Sequence, residues 1–312
     1  MLRNLAICAV FALILSTQIS AHTVAGNEGL QNATARAMAG HSGTAVVLDV
    51  PSGQVLAAYH LEVAARRVVH PGSSIKPFTL MALLEWGKVS AQTTLMCKRS
   101  LWIGGHKLDC THPATGQPLD PAAALAYSCN SYFSTVALRL TPVQLRDRFA
   151  RDGFSSMTSL AANEASGSIA LAQSPEQLQL EAIGEWGISV TPLEMVRAYR
   201  EVSLLEAKHD AKLDPLFAGL EQSVSYGMGH GAQPLSTMKV AGKTGTANAD
   251  EGPWTHAWFA GYAPAENPEI VLVVFLEKGH GGSDAAAVAR AIFAAFADQK
   301  KSGAMQAKGA SR

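Results

Sequence analysis

The chain of 312 residues contains little charge and no excess of either sign. Charged residues make up 16% of it, and 25 Lys and Arg residues balance 25 Asp and Glu residues. A protein that holds a nucleic-acid backbone needs a basic surface, because it must neutralise phosphates. The composition therefore argues against a nucleic-acid partner, while a hydrophobic share of 48% is ample for a large core.

Long apolar runs are also missing, with one exception at the N-terminus. Arg3 precedes an apolar stretch over residues 5–15, and mostly small or polar residues follow up to Ala21. This order is typical of a secretory signal peptide, and the stretch is shorter than the roughly 20 residues that span a bilayer. We predict a signal peptide over residues 1–21, either cleaved after Ala21 or kept as an anchor. The protein is then expected in the periplasm or at the outer face of the cytoplasmic membrane.

Cysteines are few, and three of the four lie beyond the predicted signal. Cys97 and Cys110 flank Gly104-Gly105, a pair of residues that predicts a hairpin turn and would bring the two cysteines together. An exported protein meets an oxidising compartment, which favours pairing. We therefore predict a Cys97–Cys110 disulfide and a buried free thiol at Cys129.

A metal site is the less favoured interpretation of this segment. The chain has no H-E-x-x-H motif of the kind found in zinc proteases. Four residues nevertheless have the side chains of zinc ligands: Cys97, His106, Cys110 and His112. Because the spacing from Cys110 to His112 is short for a zinc finger, we predict no metal and no other cofactor, with free thiols as a further alternative.

The hydrophobic pattern predicts strands at both ends of the chain and helices between them. Residues 44–50 and 54–59 predict a first hairpin, and residues 258–262 and 270–276 predict late strands. Residues 73–86 and 285–297 predict apolar helices. Residues 22–42 are predicted to be a linker or a short packing helix, and the polar tail over residues 298–312 to be disordered. The order indicates one discontinuous α/β sheet with an inserted helical subdomain.

Three short motifs follow one another in separate segments. The first is S-x-x-K, in which Ser73 precedes Lys76 by three residues. The second is S-x-N, formed by Ser128 and Asn130 around Cys129. The third is K-T-G, formed by Lys243, Thr244 and Gly245 and followed by Thr246. Each motif alone occurs by chance in many chains, so their common order is the informative observation.

The residue types of these motifs suit nucleophilic catalysis by a serine. Ser73 is a poor nucleophile until a base takes its proton, and Lys76 lies on the same helix face three residues later. A lysine acts as a base only when its pKa is lowered, which burial and a second cation such as Lys243 can do. Ser128 is then placed to pass a proton between the two lysines and a leaving group.

The remaining motif residues suit the binding of a peptide with a free carboxylate. The amide of Asn130 can donate and accept hydrogen bonds at once. Lys243 and the hydroxyls of Thr244 and Thr246 suit a terminal carboxylate. Gly245 removes a side chain where a substrate would lie along the strand.

The motif set resembles that of the transpeptidase type of penicillin-binding protein, within the superfamily of active-site serine D,D-peptidases and β-lactamases. Flanking segments resemble the same family, namely residues 45–49, 71–77, 189–195 and 240–247. The resemblance implies a transpeptidase domain over residues 43–297, with a five-stranded antiparallel sheet flanked by helices. It also implies an oxyanion hole formed by the backbone N–H groups of Ser73 and Thr246.

The resemblance further implies a function in peptidoglycan synthesis. The expected reaction is D,D-transpeptidation, in which Ser73 forms an acyl-enzyme with a D-Ala-D-Ala stem peptide. β-Lactams are expected to be covalent inhibitors, and other cell-wall synthesis proteins are expected partners. A departure from the family occurs at Glu185-Trp186-Gly187, where the family usually has Gln-Gly.

Three alternatives are weighed against this function. Water as acceptor would make the protein a D,D-carboxypeptidase. A β-lactamase is less favoured, because no E-x-x-x-N segment lies between S-x-N and K-T-G and because Asn130 occupies a position that is hydrophobic in class D enzymes. A β-lactam sensor or a wall-binding pseudoenzyme is also less favoured, because Ser73 and both lysines are intact and no second apolar span follows the N-terminus.

Overall fold

A computed structural model describes the chain over residues 27–310, so the predicted signal peptide lies outside the described residues. Nine strands are found in this range. They are β1 (Gly43–Asp49), β2 (Val55–Tyr59), β3 (Trp102–Ile103), β4 (His106–Lys107), β5 (Ser168–Ile169), β6 (Ile188–Ser189), β7 (Ala241–Asn248), β8 (Thr255–Ala263) and β9 (Ile270–Leu276).

The main sheet has five strands in the order β2-β1-β9-β8-β7, and every neighbouring pair is antiparallel. Two strands from the start of the chain therefore pair with three from its end, as predicted. Strand β9 lies in the middle, and all of its residues are buried. Alternate residues of β9 pack into two separate cores, one on each face of the sheet. This double burial explains why residues 270–276 are apolar throughout instead of alternating.

Ten helices lie around the sheet in the described part of the chain. They are α1 (Glu28–Ala37), α2 (Leu61–Arg66), α3 (Lys76–Glu85), α4 (Pro121–Ala126), α5 (Asn130–Ala137), α6 (Pro142–Arg151), α7 (Pro175–Ala182), α8 (Pro192–Glu206), α9 (Asp214–Ser225) and α10 (Ala286–Ala310). Helices α2 to α9 all lie between β2 and β7 in sequence, which confirms the inserted helical subdomain. No helix within residues 27–310 is long and apolar enough to cross a membrane.

The two ends of the described chain pack together on one face of the sheet. Leu30 of α1 and Phe293 of α10 are buried in the same core as the residues of β1 and β9 that point to this face. Of the two predictions for residues 22–42, the short packing helix is therefore the one observed. The tail over residues 298–312 was predicted to be disordered, whereas α10 continues as a helix to Ala310. A polar composition does not distinguish a solvated helix from a disordered segment.

Helix α3 positions the first motif at the centre of the molecule. A short 3-10 turn over Gly72–Ile75 leads into α3, which ends before Gly87. All but two of the helix residues are buried, because α3 packs among the other inserted helices, chiefly α5, α6 and α9. The prediction of a buried helix over residues 73–86 is thus confirmed, with its first turn tighter than an α-helix.

Candidate active site

The 3-10 turn that carries Ser73 is pressed directly against strand β7. Gly72 has a φ of 52°, and a Cβ atom there would lie 2.5 Å from the carbonyl oxygen of Thr246. From the strand side, a Cβ at Gly245 would lie 2.6 Å from the carbonyl oxygen of Pro71. Neither contact leaves room for a side chain. The two glycines therefore allow the S-x-x-K turn and the K-T-G strand to meet at Ser73.

Lys76 is completely buried beneath this turn and is held by the S-x-N segment. Its Nζ donates to the carbonyl oxygen of Ser128 at 2.8 Å and to Oδ1 of Asn130 at 2.5 Å, and it lies 3.3 Å from Oγ of Ser128. Burial lowers the pKa of Lys76 to about 8. Because the charged ammonium has lost its water, the neutral amine that can act as a base becomes accessible near physiological pH.

Lys243 approaches the same hydroxyl from the opposite side. It lies on β7, is completely buried, and its Nζ donates to Oγ of Ser128 at 2.8 Å and to the carbonyl oxygen of Thr244 at 2.8 Å. Burial, together with the charge of Lys76, lowers the pKa of Lys243 well below its usual range. Ser128 Oγ thus connects the two lysines, as the predicted proton relay requires.

The turn that carries Ser128 has an unusual backbone conformation. Ser128 has a φ of 54°, in the left-handed region that residues other than glycine seldom adopt. Cys129 then caps helix α5, its sulfur accepting the backbone N–H of Tyr132 at 3.4 Å. The side chain of Asn130 is fixed by a second bond, from Nδ2 to the carbonyl oxygen of Leu108 at 3.1 Å. Such strain commonly persists where the surrounding contacts hold a functional side chain in place.

The motif residues meet around one cavity of about 190 Å³. Five of the predicted site residues line it: Ser73, Ser128, Asn130, Thr244 and Thr246. Lys76 and Lys243 lie beneath it and reach it through Ser128. Gly245 packs on the nucleophile turn, and the Thr246 hydroxyl accepts the backbone N–H of Gly281 at 3.0 Å. A larger surface cleft of about 520 Å³ lies elsewhere, and none of the motif residues lines it.

Glu185 also lines this cavity, although the motif analysis did not assign it to the site. It extends into an adjoining cavity of about 270 Å³ together with His70, His106 and Trp186. Burial raises the pKa of Glu185, while Lys76 and the neighbouring histidines oppose that rise. The signal in the sequence was the departure from Gln-Gly at this position, but only the tertiary structure places the carboxylate beside the nucleophile.

The predicted Cys97–Cys110 disulfide is absent, so that prediction was wrong: Cys97, Cys110 and Cys129 are all free thiols. The hairpin itself is confirmed, because β3 pairs with β4 around Gly104-Gly105. Cys129, which was predicted to be a buried free thiol, is buried and unbonded. The turn at residues 128–130 directs the Cys129 sulfur to within 3.7 Å of the Cys110 sulfur, and His112 joins them. We refer to Cys97, Cys110, His112 and Cys129 as the thiol cluster.

Comparison with protein-family models matches residues 43–294 to the penicillin binding protein transpeptidase domain. This range includes every motif residue named above. The chain belongs to the penicillin-binding protein transpeptidase family. Its sheet order and inserted helices are those expected from that family.

Curated proteins that are similar in sequence to this chain are named as peptidoglycan D,D-transpeptidases. The chain is 28% identical over 298 aligned residues to peptidoglycan D,D-transpeptidase FtsI of Escherichia coli K12, which covers 80% of this chain and 50% of the relative. The chain therefore spans about half the length of the curated relatives it matches.

Solved structures share the fold. The D,D-transpeptidase domain of a peptidoglycan glycosyltransferase from Eggerthella lenta superposes with a TM-score of 0.77 at 22% identity, covering 88% of this chain and 82% of that one. PBP2 of Helicobacter pylori, solved in a complex with MreC, superposes with a TM-score of 0.74 at 18% identity, covering 84% of this chain and 61% of that one.

Proposed function

We propose that this chain is a peptidoglycan D,D-transpeptidase that works through an acyl-enzyme on Ser73. The observation that carries the proposal is the buried chain of contacts from Lys76 through Ser128 to Lys243, next to the cavity lined by Ser73. A solvated helix start would leave Lys76 exposed, and an ordinary strand edge would leave Lys243 exposed. Burying two lysines on one hydroxyl is costly, and a catalytic role explains why the cost is tolerated.

In the first step, Oγ of Ser73 attacks the carbonyl carbon between the two D-Ala residues of a stem peptide. Neutral Lys76 takes the hydroxyl proton, and an ester bond forms as the peptide C–N bond breaks. The departing D-Ala nitrogen receives its proton through Ser128, which contacts both lysines. The acyl-enzyme and free D-Ala are the products of this step.

The substrate is held by groups around the same cavity. Lys243 and the hydroxyls of Thr244 and Thr246 suit the terminal carboxylate, and Asn130 suits the peptide bond. The backbone N–H groups of Ser73 and Thr246 form the proposed oxyanion hole. One such donor stabilises the transition state by about 2.7–4 kcal/mol.

In the second step, an amine of another stem peptide attacks the ester and restores Ser73. Water as acceptor would give a D,D-carboxypeptidase. One observation favours this second candidate, since the Glu185 carboxylate lines the Ser73 cavity and could accept a proton from water. The curated relatives that the chain resembles carry the name D,D-transpeptidase, which favours an amine.

The reaction requires access to the cell wall, so we propose that the protein acts outside the cytoplasm, in the periplasm or at the outer face of the cytoplasmic membrane. β-Lactams, which mimic D-Ala-D-Ala, are proposed to acylate Ser73 covalently. Other cell-wall synthesis proteins are proposed partners, supported by the likeness to PBP2 of Helicobacter pylori, which was solved with MreC.

Labelling with a fluorescent penicillin tests the proposal. We expect a covalent band from the parent protein and none from Ser73→Ala. Ser74→Ala is the matched control, because the adjacent hydroxyl is buried and bonded to the carbonyl oxygen of Pro71, away from the cavity. Labelling of Ser73→Ala at the parent level would contradict the assignment of the nucleophile.

A further inference from the structure

The thiol cluster gathers four ligand atoms from two parts of the chain, the segment over residues 97–112 and Cys129. The sulfurs of Cys97, Cys110 and Cys129 and a ring nitrogen of His112 all lie within 4.8 Å of one another. Three of the four residues are buried, and Cys97 is partly buried. The catalytic interpretation uses none of these side chains, so the cluster needs an explanation of its own.

The orientation of His112 indicates what the cluster binds. Its Nδ1 lies 2.7 Å from the carbonyl oxygen of Pro113. Because a carbonyl oxygen can only accept, Nδ1 carries the hydrogen and donates the hydrogen bond, and the lone pair of the neutral ring lies on Nε2. Nε2 is buried and has no hydrogen-bond partner in the described part of the chain. A buried acceptor without a partner is costly, and a bound cation would satisfy it. A backbone carbonyl on the far nitrogen is the usual support of a metal-binding histidine.

The sulfur separation fits a metal better than a disulfide. In a tetrahedral zinc site with Zn–S bonds of about 2.3 Å, two sulfurs lie about 3.8 Å apart. The sulfurs of Cys110 and Cys129 lie 3.7 Å apart. A disulfide would require about 2 Å between them.

Each sulfur is also supported by one backbone N–H group. The N–H of Arg99 donates to Cys97 at 3.3 Å, and the N–H of Ser131 donates to Cys110 at 3.3 Å. The third sulfur, at Cys129, is the helix cap described above. Hydrogen bonds of this kind favour the thiolate, which is the form that binds a metal.

We propose that the thiol cluster binds one Zn²⁺ ion in a closed tetrahedral site. Three thiolates and one imidazole are a ligand set that zinc prefers, and four protein ligands leave no open position for catalysis. Binding forms three Zn–S bonds and one Zn–N bond and releases the three thiol protons to solvent. The site is therefore structural. The four candidate ligands named from the sequence included His106 and left out Cys129. In the structure, His106 is exposed on β4 and does not belong to the cluster.

The ion would hold the S-x-N motif in its strained conformation. Cys129 lies between Ser128 and Asn130, so its bond to zinc would anchor both neighbours. The other three ligands come from the segment over residues 97–112, whose Leu108 carbonyl already accepts from Asn130. Zinc is thus a positioning element for the proton relay. This catalytic part rests on the proposed function, whereas the metal site itself does not.

Metal analysis of the parent protein tests the site directly. The chain is purified without chelator and without reductant, and zinc is measured by mass spectrometry together with the free-thiol count. We expect one zinc per chain, released when a mercurial reagent titrates the thiols. Replacement by Co²⁺ should give the absorption spectrum of tetrahedral cobalt with thiolate ligands. Protein that takes up no metal after Zn²⁺ is added, or that contains a Cys110–Cys129 disulfide, would overturn the proposal.

Two histidine variants sharpen this test. His112→Ala removes a ligand and should abolish stoichiometric zinc. His106→Ala is the matched control on the same hairpin segment and should retain one zinc per chain. Equal zinc content in both variants would show that His112 is not a ligand. The cobalt spectrum of the parent protein decides the matter if His112→Ala does not fold.

The positioning role has a separate readout. Removing zinc should slow acylation by a penicillin by up to about 100-fold, because a misplacement of about 1 Å can cost that much. Re-adding Zn²⁺ should restore the rate. An unchanged rate in zinc-free protein would contradict the positioning role. If the protein bound zinc but was not labelled by penicillin, the result would support the metal site and contradict the proposed function.

Discussion

Two clusters of opposite character meet at the turn of residues 128–130. On one side, Ser128 Oγ contacts two buried lysines, whose charges disfavour each other. On the other side, the thiol cluster gathers three sulfurs and one imidazole. The motif serine and asparagine face the lysines, and the cysteine between them faces the thiols. One three-residue turn therefore serves both the proposed acylation chemistry and the proposed zinc site. A mutation in the lysine cluster can be followed by its effect on zinc content, and a mutation in the thiol cluster by its effect on the acylation rate.

The largest effect is expected from Lys76→Ala. Loss of the base should slow penicillin acylation by about 10²–10⁴-fold, with little change in initial binding. Stopped-flow or quenched labelling gives the rate, and zinc content reports whether the thiol cluster survives. Lys208→Ala, at an exposed position, is the control. If Lys76→Ala acylated at the parent rate, the base would lie elsewhere.

Lys243→Ala should have the next largest effect. Loss of a hydrogen-bond donor to a charged carboxylate should lower the second-order acylation rate by about 10–100-fold. The parent protein should react with a penicillin methyl ester, which lacks the carboxylate charge, more slowly than with the free acid, by a similar factor. The variant should discriminate little between the acid and the ester. A variant that keeps the full preference for the acid would exclude Lys243 from carboxylate binding.

The pH dependence of acylation follows from the lowered pKa of Lys76. The neutral amine is the base, and its pKa is about 8. The rate should therefore rise with pH through about 8 and be about tenfold lower one unit below that value than on the plateau. Rates measured in a series of buffers at constant ionic strength test this. A rate that falls as pH rises through the same range would contradict the neutral-lysine mechanism.

The smallest effect is expected from Glu185→Gln, which removes the carboxylate but keeps the length of the side chain. If an amine is the natural acceptor, the lifetime of the penicilloyl ester should change by less than about tenfold. The adduct is followed over time by intact mass. A lifetime extended by about 10²-fold or more would show that Glu185 is a hydrolytic base, and it would favour the carboxypeptidase alternative.

Much of the catalytic centre could be predicted because its geometry is local. Ser73 and Lys76 are one helical turn apart, so their spacing alone predicts that they lie on the same helix face. Strand β9 could be predicted from its apolar run, and the hairpin turn from Gly104-Gly105. The hydrophobic pattern also predicted strands at both ends of the chain with helices between them.

The rest depends on tertiary placement that no short pattern contains. Cys129 was assigned to the S-x-N motif, and its side chain was not expected to meet Cys110 across the loop. Glu185 follows Gly184, whose own packing on Gly72 brings the carboxylate to the cavity. The continuation of α10 to Ala310 could not be predicted, because its polar end offers no apolar stripe.

The most direct test is the fate of penicillin mixed with the purified protein. We expect one penicilloyl group per chain by intact mass, located on Ser73 by peptide mapping and persisting for many minutes while excess drug remains intact. A transpeptidase must keep water from this ester until an amine arrives. Steady hydrolysis of many equivalents with no persistent adduct would contradict the account and place the chain functionally among the β-lactamases.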